Sequence, residues 1–380
     1  MYQITTLNKI SKVGLSRLTD AYMITEKIED ADGILVRSQD MLTMEFSDSL
    51  KAVARAGAGV NNIPLDRCAE QGIVVFNTPG ANANAVKELV LSGLFLASRN
   101  IPAALTWAKG LTEDVSKTVE KGKSQFAGHE IAGKTLGVVG LGAIGRKVAA
   151  SAQALGMEIC GYDPFFNGEA EFKVYADLKE MLPICDYITI HVPANDSTKG
   201  MFNKELFQIM KEGTVLLNFS RDKLVNDVDL LLAIETGKIA VYVTDFPNDN
   251  LVGREGVILL PHLGASTEEA EDNCAIMAVD QMRDYFENGN IINSVNFPKV
   301  DLGPLEKGMR FSVITKDLAD PVSTVSEMLA GIQRPAKKIA GGVKNGFGYV
   351  LAEIDGDNMP GVLFYGEEGA KIVKVREIEK

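Results

Sequence analysis

Three histidines, a few arginines that follow apolar runs, and scattered acids are the residues of this chain able to move protons or hold anions. His262 stands in Pro261-His262-Leu263-Gly264-Ala265-Ser266, directly after an apolar run. A histidine titrates near neutrality, so it can take a proton from a hydroxyl or return one to a carbonyl oxygen. The competing reading is a strand-end histidine bonded to backbone. His191, in His191-Val192-Pro193, also ends an apolar run and reads as structural or adjacent to a cofactor; His129 lies in a loop and is given no role. Arg221 follows Asn218-Phe219-Ser220. A guanidinium there can hold a carboxylate with one edge and a developing alkoxide with another, although a surface ion pair explains it equally well. No HxxxH or CxxC pair exists, so no metal is expected. Cys68, Cys160, Cys185 and Cys274 lack a paired base, which argues against a thiol nucleophile.

Such residues act only if the elements around them converge. Gly140-Leu141-Gly142-Ala143-Ile144-Gly145 lies between an apolar run, Thr135 to Val139, and a helical pattern, Arg146 to Leu155; a second run, Met157 to Tyr162, then ends in Asp163. Strand, glycine turn, helix, strand and acid follow in the order of a dinucleotide fold. Gly140 permits the tight turn, Gly142 lets backbone approach a pyrophosphate, and Gly145 lets helix pack on strand. Asp163 would accept from ribose hydroxyls and repel a 2′-phosphate, which favours NAD over NADP. The alternative is a glycine-rich turn in an ordinary crossover.

Strand and helix then alternate: Asp186 to His191, Thr214 to Phe219, Lys238 to Thr244 and Val257 to Leu260 read as strands, with helices over Lys204 to Met210 and Val228 to Thr236. Six short β-rich runs with helices between them specify an α/β fold, a doubly wound parallel sheet. Ligands bind such sheets beyond the carboxyl ends of the strands, which singles out His191, Ser220-Arg221, Asp245 and His262. The first hundred residues repeat the pattern, with strands over Tyr2 to Leu7, Gly33 to Val36, Lys51 to Ala54 and Gly72 to Phe76. Long helical patterns, Val86 to Ala97 and Glu268 to Asn288, lead into and away from the dinucleotide region. The expected division is a discontinuous lobe of residues 1–93 and 265–300, a dinucleotide-binding domain of 94–264, and a small α+β module of 304–380.

At 380 residues the chain exceeds one core. It is 46% hydrophobic with no run long enough to span a bilayer, so no membrane partner is expected, and Met1-Tyr2-Gln3-Ile4 does not open a secretory signal. Unpaired cysteines suggest a reducing cytoplasm. A net charge of -12 argues against nucleic acid.

Together these segments resemble the D-isomer-specific 2-hydroxyacid dehydrogenases, most closely the D-3-phosphoglycerate dehydrogenases. The resemblance covers about residues 13 to 300 and is carried by Gly33 to Ser38, Arg55 to Asn62, Phe76 to Pro79, Gly140 to Arg146, Asn218 to Arg221 and Pro261 to Thr267. It implies two Rossmann-like lobes, the substrate lobe flavodoxin-like, a homodimer or higher homo-oligomer, and NAD as cofactor. It further implies Arg221 as the arginine on the substrate carboxylate, His262 as acid/base, and Asp245 on the nicotinamide carboxamide. Ala143, Ile144, His191, Val192 and Pro193 fall to the cofactor. Arg37 and Ser38 resemble ligands of a substrate phosphate, Gly57, Ala58 and Gly59 a carboxylate cradle, and Asn82 a substrate asparagine.

Two departures from the family pattern stand out. Asp222 replaces the glycine after the arginine, and the glutamate that supports the histidine is absent. A gapless count puts Asn250 in its place and one deletion puts Asp249 there; Asp249 is favoured, because an anion supports an imidazolium. The last 75 or so residues resemble a distant ACT module, strongest over Gly348 to Asp355, without a recognisable ligand loop. The function implied is NAD-dependent oxidation of 3-phospho-D-glycerate to 3-phosphohydroxypyruvate, an entry to serine biosynthesis. Reduction of glyoxylate, hydroxypyruvate or another 2-keto acid is the alternative, and an NAD-sensing corepressor a more distant one.

Overall fold

The structure, a computed structural model, describes residues 1–355 and 371–380. The chain divides into two compact units: Met1–Ala81 with Glu271–Lys380, and Asn82–Ala270. The expected division at residue 93 falls within a continuous helix, Ala83–Ser98, whose Val86, Val90, Leu94 and Ala97 all belong to the second unit's core.

The first unit is built on β1 (Tyr2–Leu7), β2 (Tyr22–Ile24), β3 (Gly33–Val36), β4 (Ala52–Arg55) and β5 (Val74–Phe76), all parallel, in the order β2-β1-β3-β4-β5. That is the flavodoxin-like order. Both faces are apolar, as a parallel sheet requires. Ile34, Val36, Val53 and Val75 meet Ile63 and Cys68 on one side; Leu35, Ala54, Val74 and Phe76 share the other side's core with Ala275, Ala278, Met282 and Phe286 of the helix Glu268–Asn288. β2 was not anticipated: three residues at a sheet edge, one of them buried, carry no readable period.

The second unit holds β6 (Thr135–Val139), β7 (Glu158–Tyr162), β8 (Lys173–Tyr175), β9 (Tyr187–Ile190), β10 (Thr214–Asn218), β11 (Ile239–Thr244) and β12 (Val257–Leu259). The sheet is parallel in the order β12-β11-β10-β9-β6-β7-β8, seven strands where six were expected. The order reverses at β6, between β7 and β9, which is the switch point where such sheets bind ligands. The added strand, β8, is again a three-residue edge.

Residues 304–380 supply β13 (Met309–Lys316), β14 (Lys338–Lys344), β15 (Phe347–Ile354) and β16 (Ile372–Glu379), an antiparallel sheet ordered β14-β15-β13-β16. β14, Lys338-Ile-Ala-Gly-Gly-Val-Lys344, is an edge strand with no fully buried residue, so its sequence carries no readable strand pattern. Alternation divides the sheet's faces. Phe311, Val313, Val350 and Ala352 pack on the helix Pro321–Gly331, whereas Ile314, Tyr349 and Leu351 join the core of the five-stranded sheet. Part of the segment expected to form this module, residues 356–370, lies outside the described residues.

Candidate active site

The glycine turn leaving β6 has the geometry its sequence implies. Gly140 takes φ 97, and a Cβ there would stand 2.5 Å from the His191 carbonyl oxygen. At Gly145 the added carbon would stand 1.9 Å from the Gly140 oxygen, so the helix Ala143–Ala154 can start this close to the strand only without a side chain. Around Gly142 a Cβ would meet nothing within 4 Å. No side chain caps this helix N-terminus, so the Ala143 and Ile144 turn presents backbone donors and a positive dipole end to open space. Asp163, at the end of β7, accepts from Leu141 N (2.9 Å) and Phe165 N (2.9 Å). One bond per oxygen leaves lone pairs for further donors.

Across the switch point, His191 ends β9. Its Nε2 lies 2.9 Å from Thr189 Oγ1, its Nδ1 is buried without a partner, and burial pushes the imidazole down to about 3. The ring is therefore neutral at ordinary pH. Val192 and Pro193 continue into a turn in which Thr198 Oγ1 donates to the Pro193 carbonyl at 2.6 Å.

Arg221 is set by the buried residue Asn218 at the end of β10. Asn218 Nδ2 donates to the Arg221 carbonyl (2.8 Å) and to Tyr242 Oη (3.1 Å), while Ser220 Oγ donates to the Ile190 carbonyl (2.8 Å). The exposed guanidinium turns one nitrogen to the Ser220 carbonyl at 2.6 Å. Asp222, the departure from the family glycine, opens the short turn Asp222–Leu224.

Asp245 follows β11 and is 1% exposed. Its Oδ2 accepts from Gly264 N at 2.9 Å and its Oδ1 is buried without a partner. Burial raises this carboxyl above its ordinary value, against the Gly264 N–H and the positive charges of His262 and Arg221. His262 itself adopts φ 50, held by its N–H to the Asp245 carbonyl (2.9 Å), with the exposed ring 4.8 Å from that of Phe246. Arg221, Asp245 and His262 thus gather at the carboxyl ends of β10, β11 and β12.

The position of the missing glutamate divides as follows. Asn250 Nδ2 donates to Asp227 Oδ2 at 3.1 Å, as does Asn248 Nδ2, so Asn250 is committed to the helix Asp227–Glu235. Asp249 lies in the same turn. Among the described residues His262 forms no ion pair with a carboxylate, Asp249 included.

In the first unit, Arg37 and Ser38 leave the carboxyl end of β3. Gly57 and Ala58 follow β4, where the Gly57 carbonyl accepts from Thr78 N (3.1 Å) and the Ala58 carbonyl from Asn77 Nδ2 (2.7 Å); Gly59 continues the loop. Arg55, to which the sequence assigns no individual role, ends β4 beside Arg37: its Nε donates to the Arg37 carbonyl at 2.9 Å. Asn82 belongs to the second unit, immediately before Ala83–Ser98, and makes no capping bond.

Fold and site define a dinucleotide-binding protein carrying an arginine and a histidine suited to carboxylate binding and proton transfer. The orphaned Asp245 and His191 atoms and the space at Gly142 fit a nicotinamide dinucleotide. The description "D-isomer specific 2-hydroxyacid dehydrogenase, NAD binding domain" matches residues 92–264. The D-3-phosphoglycerate dehydrogenase of Bacillus subtilis is 32% identical over 362 residues, 87% of this chain and 67% of its own. Among solved structures, the NAD+-bound 3-phosphoglycerate dehydrogenase of Entamoeba histolytica matches with TM-score 0.63 and 27% identity, over 78% of this chain and 98% of its own. The NADPH-dependent glyoxylate/hydroxypyruvate reductase of Sinorhizobium meliloti, in complex with citrate, matches with TM-score 0.68 and 25% identity over the same shares. The chain belongs to the D-isomer-specific 2-hydroxyacid dehydrogenase family, and residues 92–264 are its NAD-binding domain. It spans between 51% and 67% of the length of the curated relatives it matches.

Proposed function

We propose that the chain catalyses NAD-dependent oxidation of 3-phospho-D-glycerate to 3-phosphohydroxypyruvate, the chemistry that opens serine biosynthesis. The observation that carries this reading is the grouping of Arg221, Asp245 and His262 at the strand ends beside an open glycine turn, in a chain 32–37% identical to relatives named D-3-phosphoglycerate dehydrogenase. Arg221 holds the substrate carboxylate and polarises the C2 oxygen, which fixes the C2 hydrogen in one direction. His262 takes the hydroxyl proton. Asp245, with its unpartnered Oδ1, would hold the carboxamide, Asp163 would hold the ribose, and the Gly140–Gly145 turn would receive the pyrophosphate. When bound, NAD supplies the two-electron acceptor. By the family resemblance, Arg37 and Ser38 would be ligands of the substrate phosphate, the Gly57–Gly59 loop a carboxylate cradle and Asn82 a substrate-binding asparagine.

Asp249 is the acid we assign to His262, because the commitment of Asn250 to Asp227 leaves Asp249 as the other candidate, although the two form no ion pair in this structure. Residues 304–380 are read as an ACT-like module, supported by β-α-β-β succession and the order β14-β15-β13-β16 of the split βαβ class. A homodimer is supported by apolar residues exposed on Ile101–Lys109 and Val115–Gly122, Leu105 (54%) and Val115 (49%). Four buried, unbridged cysteines support a cytoplasmic site. Reduction of glyoxylate or hydroxypyruvate is the second reading, favoured by the likeness to the Sinorhizobium structure.

The test is a panel of purified protein with NAD and NADP against 3-phosphoglycerate, glycerate, hydroxypyruvate and glyoxylate. The highest kcat/KM is expected for 3-phosphoglycerate with NAD, and for oxidation Asp249→Asn should cost tenfold or more while Asn250→Ala costs less. Preference for an unphosphorylated substrate, or equal use of both cofactors, refutes the assignment.

A further inference from the structure

Arg37 and Ser38 stand on the loop that leaves β3, and two residues from distant parts of the chain hold that loop. Asn8 follows β1 in a left-handed conformation, φ 78. Its Oδ1 accepts from three successive backbone N–H groups, those of Arg37 (3.4 Å), Ser38 (3.0 Å) and Gln39 (2.8 Å). Convergence of consecutive N–H groups on one oxygen is how backbone cradles an anion. Here the chain's own amide fills the cradle, so the loop's backbone is fixed before any ligand arrives. The Arg37 side chain meets a second holder: Nη1 lies 2.5 Å from Glu271 Oε1, near the start of the helix Glu268–Asn288. This contact occupies one nitrogen of a guanidinium that has five donors.

We propose that Asn8 and Glu271 are positioning residues for a phosphate subsite, Asn8 setting the backbone that carries Arg37 and Ser38 and Glu271 fixing the Arg37 guanidinium. This rests on the reading of Arg37 and Ser38 as ligands of a phosphorylated 2-hydroxy acid. Glu271 has the sign of the phosphate, so it could instead act as a competitor. Two arguments favour positioning. The pair is 35% and 47% exposed, where solvent and salt screen repulsion between Glu271 and a phosphate on the other side of the guanidinium. An arginine without a partner, by contrast, has its full rotamer freedom to lose when a ligand fixes it.

The experiment compares steady-state kinetics on 3-phosphoglycerate and glycerate. Asn8→Gly keeps the left-handed backbone and deletes the acceptor, while Asn8→Asp keeps the acceptor; Glu271→Ala and Glu271→Gln form the matching pair. Asn8→Gly and Glu271→Ala should each lower selectivity for 3-phosphoglycerate over glycerate about fivefold, chiefly through KM. Asn8→Asp and Glu271→Gln should recover most of it, and neither deletion should add to the loss caused by Arg37→Ala. Unchanged selectivity, an equal loss on both substrates, or a gain in Glu271→Ala overturns the proposal. If the unaltered protein shows no preference for the phosphorylated substrate, the functional reading and the phosphate subsite fall together. The Arg37 Nε–Hε resonance then still decides whether the clamp exists: it should broaden in Glu271→Ala and Asn8→Gly, and an unchanged signal denies it.

Discussion

His262 is a non-glycine residue in the left-handed region, held by a backbone bond to the Asp245 carbonyl. Conformations of this kind persist where the surroundings over-determine them, and they cluster at functional sites. The same short segment leaves Asp245 buried with one oxygen unpartnered, so two chemical groups are fixed by one turn. His191 differs in kind, because burial holds its ring neutral at ordinary pH. Its pKa is depressed from 6.5 to about 3, so between those values the unfolded chain binds a proton that the folded chain refuses. The stability this provides is complete above pH 6.5 and is lost as pH falls toward 3, with a slope of up to about 1.4 kcal/mol per pH unit. Urea unfolding between pH 7.5 and 5 should therefore show a shallower decline in His191→Gln than in the unaltered protein; parallel declines would contradict it. The strand-end positions of His262, Arg221, Asp245 and His191 were readable in sequence, because each lies within three residues of the end of a β-rich run. Asn8 and Glu271 were not, since their partner Arg37 is reached only through the pairing of β1 with β3 and the packing of a helix far along the chain.

Among the elements, the buried parallel strands were legible because runs such as Gly33–Val36 and Tyr187–Ile190 are buried at every position and so appear as unbroken apolar stretches. The edges β2, β8 and β14 were not, because short or half-exposed strands take their conformation from a neighbour. The glycine turn permits a sharper test of how an element serves the site. In Gly145→Ala the added carbon would collide with backbone at 1.9 Å, so the helix start must shift and both stability and dinucleotide affinity should fall, the latter more than tenfold. Gly142→Ala adds a methyl where the protein has nothing within 4 Å, at φ -71, which alanine adopts freely. That variant should melt within a degree or two of the original and still lose NAD affinity by titration. If it binds NAD normally, the open space at Gly142 is not where the pyrophosphate lies.

At the scale of the whole molecule, the sequence suggested that residues 304–380 stand apart, because the family resemblance stops before them. The burial pattern argues otherwise within the first unit. The helix Glu268–Asn288 ends in carbonyls that no further helical turn can satisfy, and cationic and hydroxyl groups of the C-terminal sheet take them. Arg376 donates to the Tyr285 and Phe286 carbonyls and lies 4.1 Å over the Tyr285 ring; Tyr349 Oη donates to the Gly289 carbonyl at 2.7 Å. Arg310, fully buried, donates to the Asn288 and Gly303 carbonyls and pairs with Glu353 at 2.8 Å. Tyr285, Phe286 and Phe297, each no more than 2% exposed, lie in the core shared with Tyr349 and Leu351. A chain stopped at residue 303 would uncover those aromatics, at a cost on the order of 5 kcal/mol, and leave several buried carbonyls without donors. Such a chain should be insoluble or should melt well below the full protein, while residues 82–270 expressed alone retain a cooperative transition and bind NAD. Calorimetry on the three proteins decides it: a truncation at 303 that melts with the full chain would mean that the C-terminal sheet is an accessory after all, and that the helix end is satisfied by water.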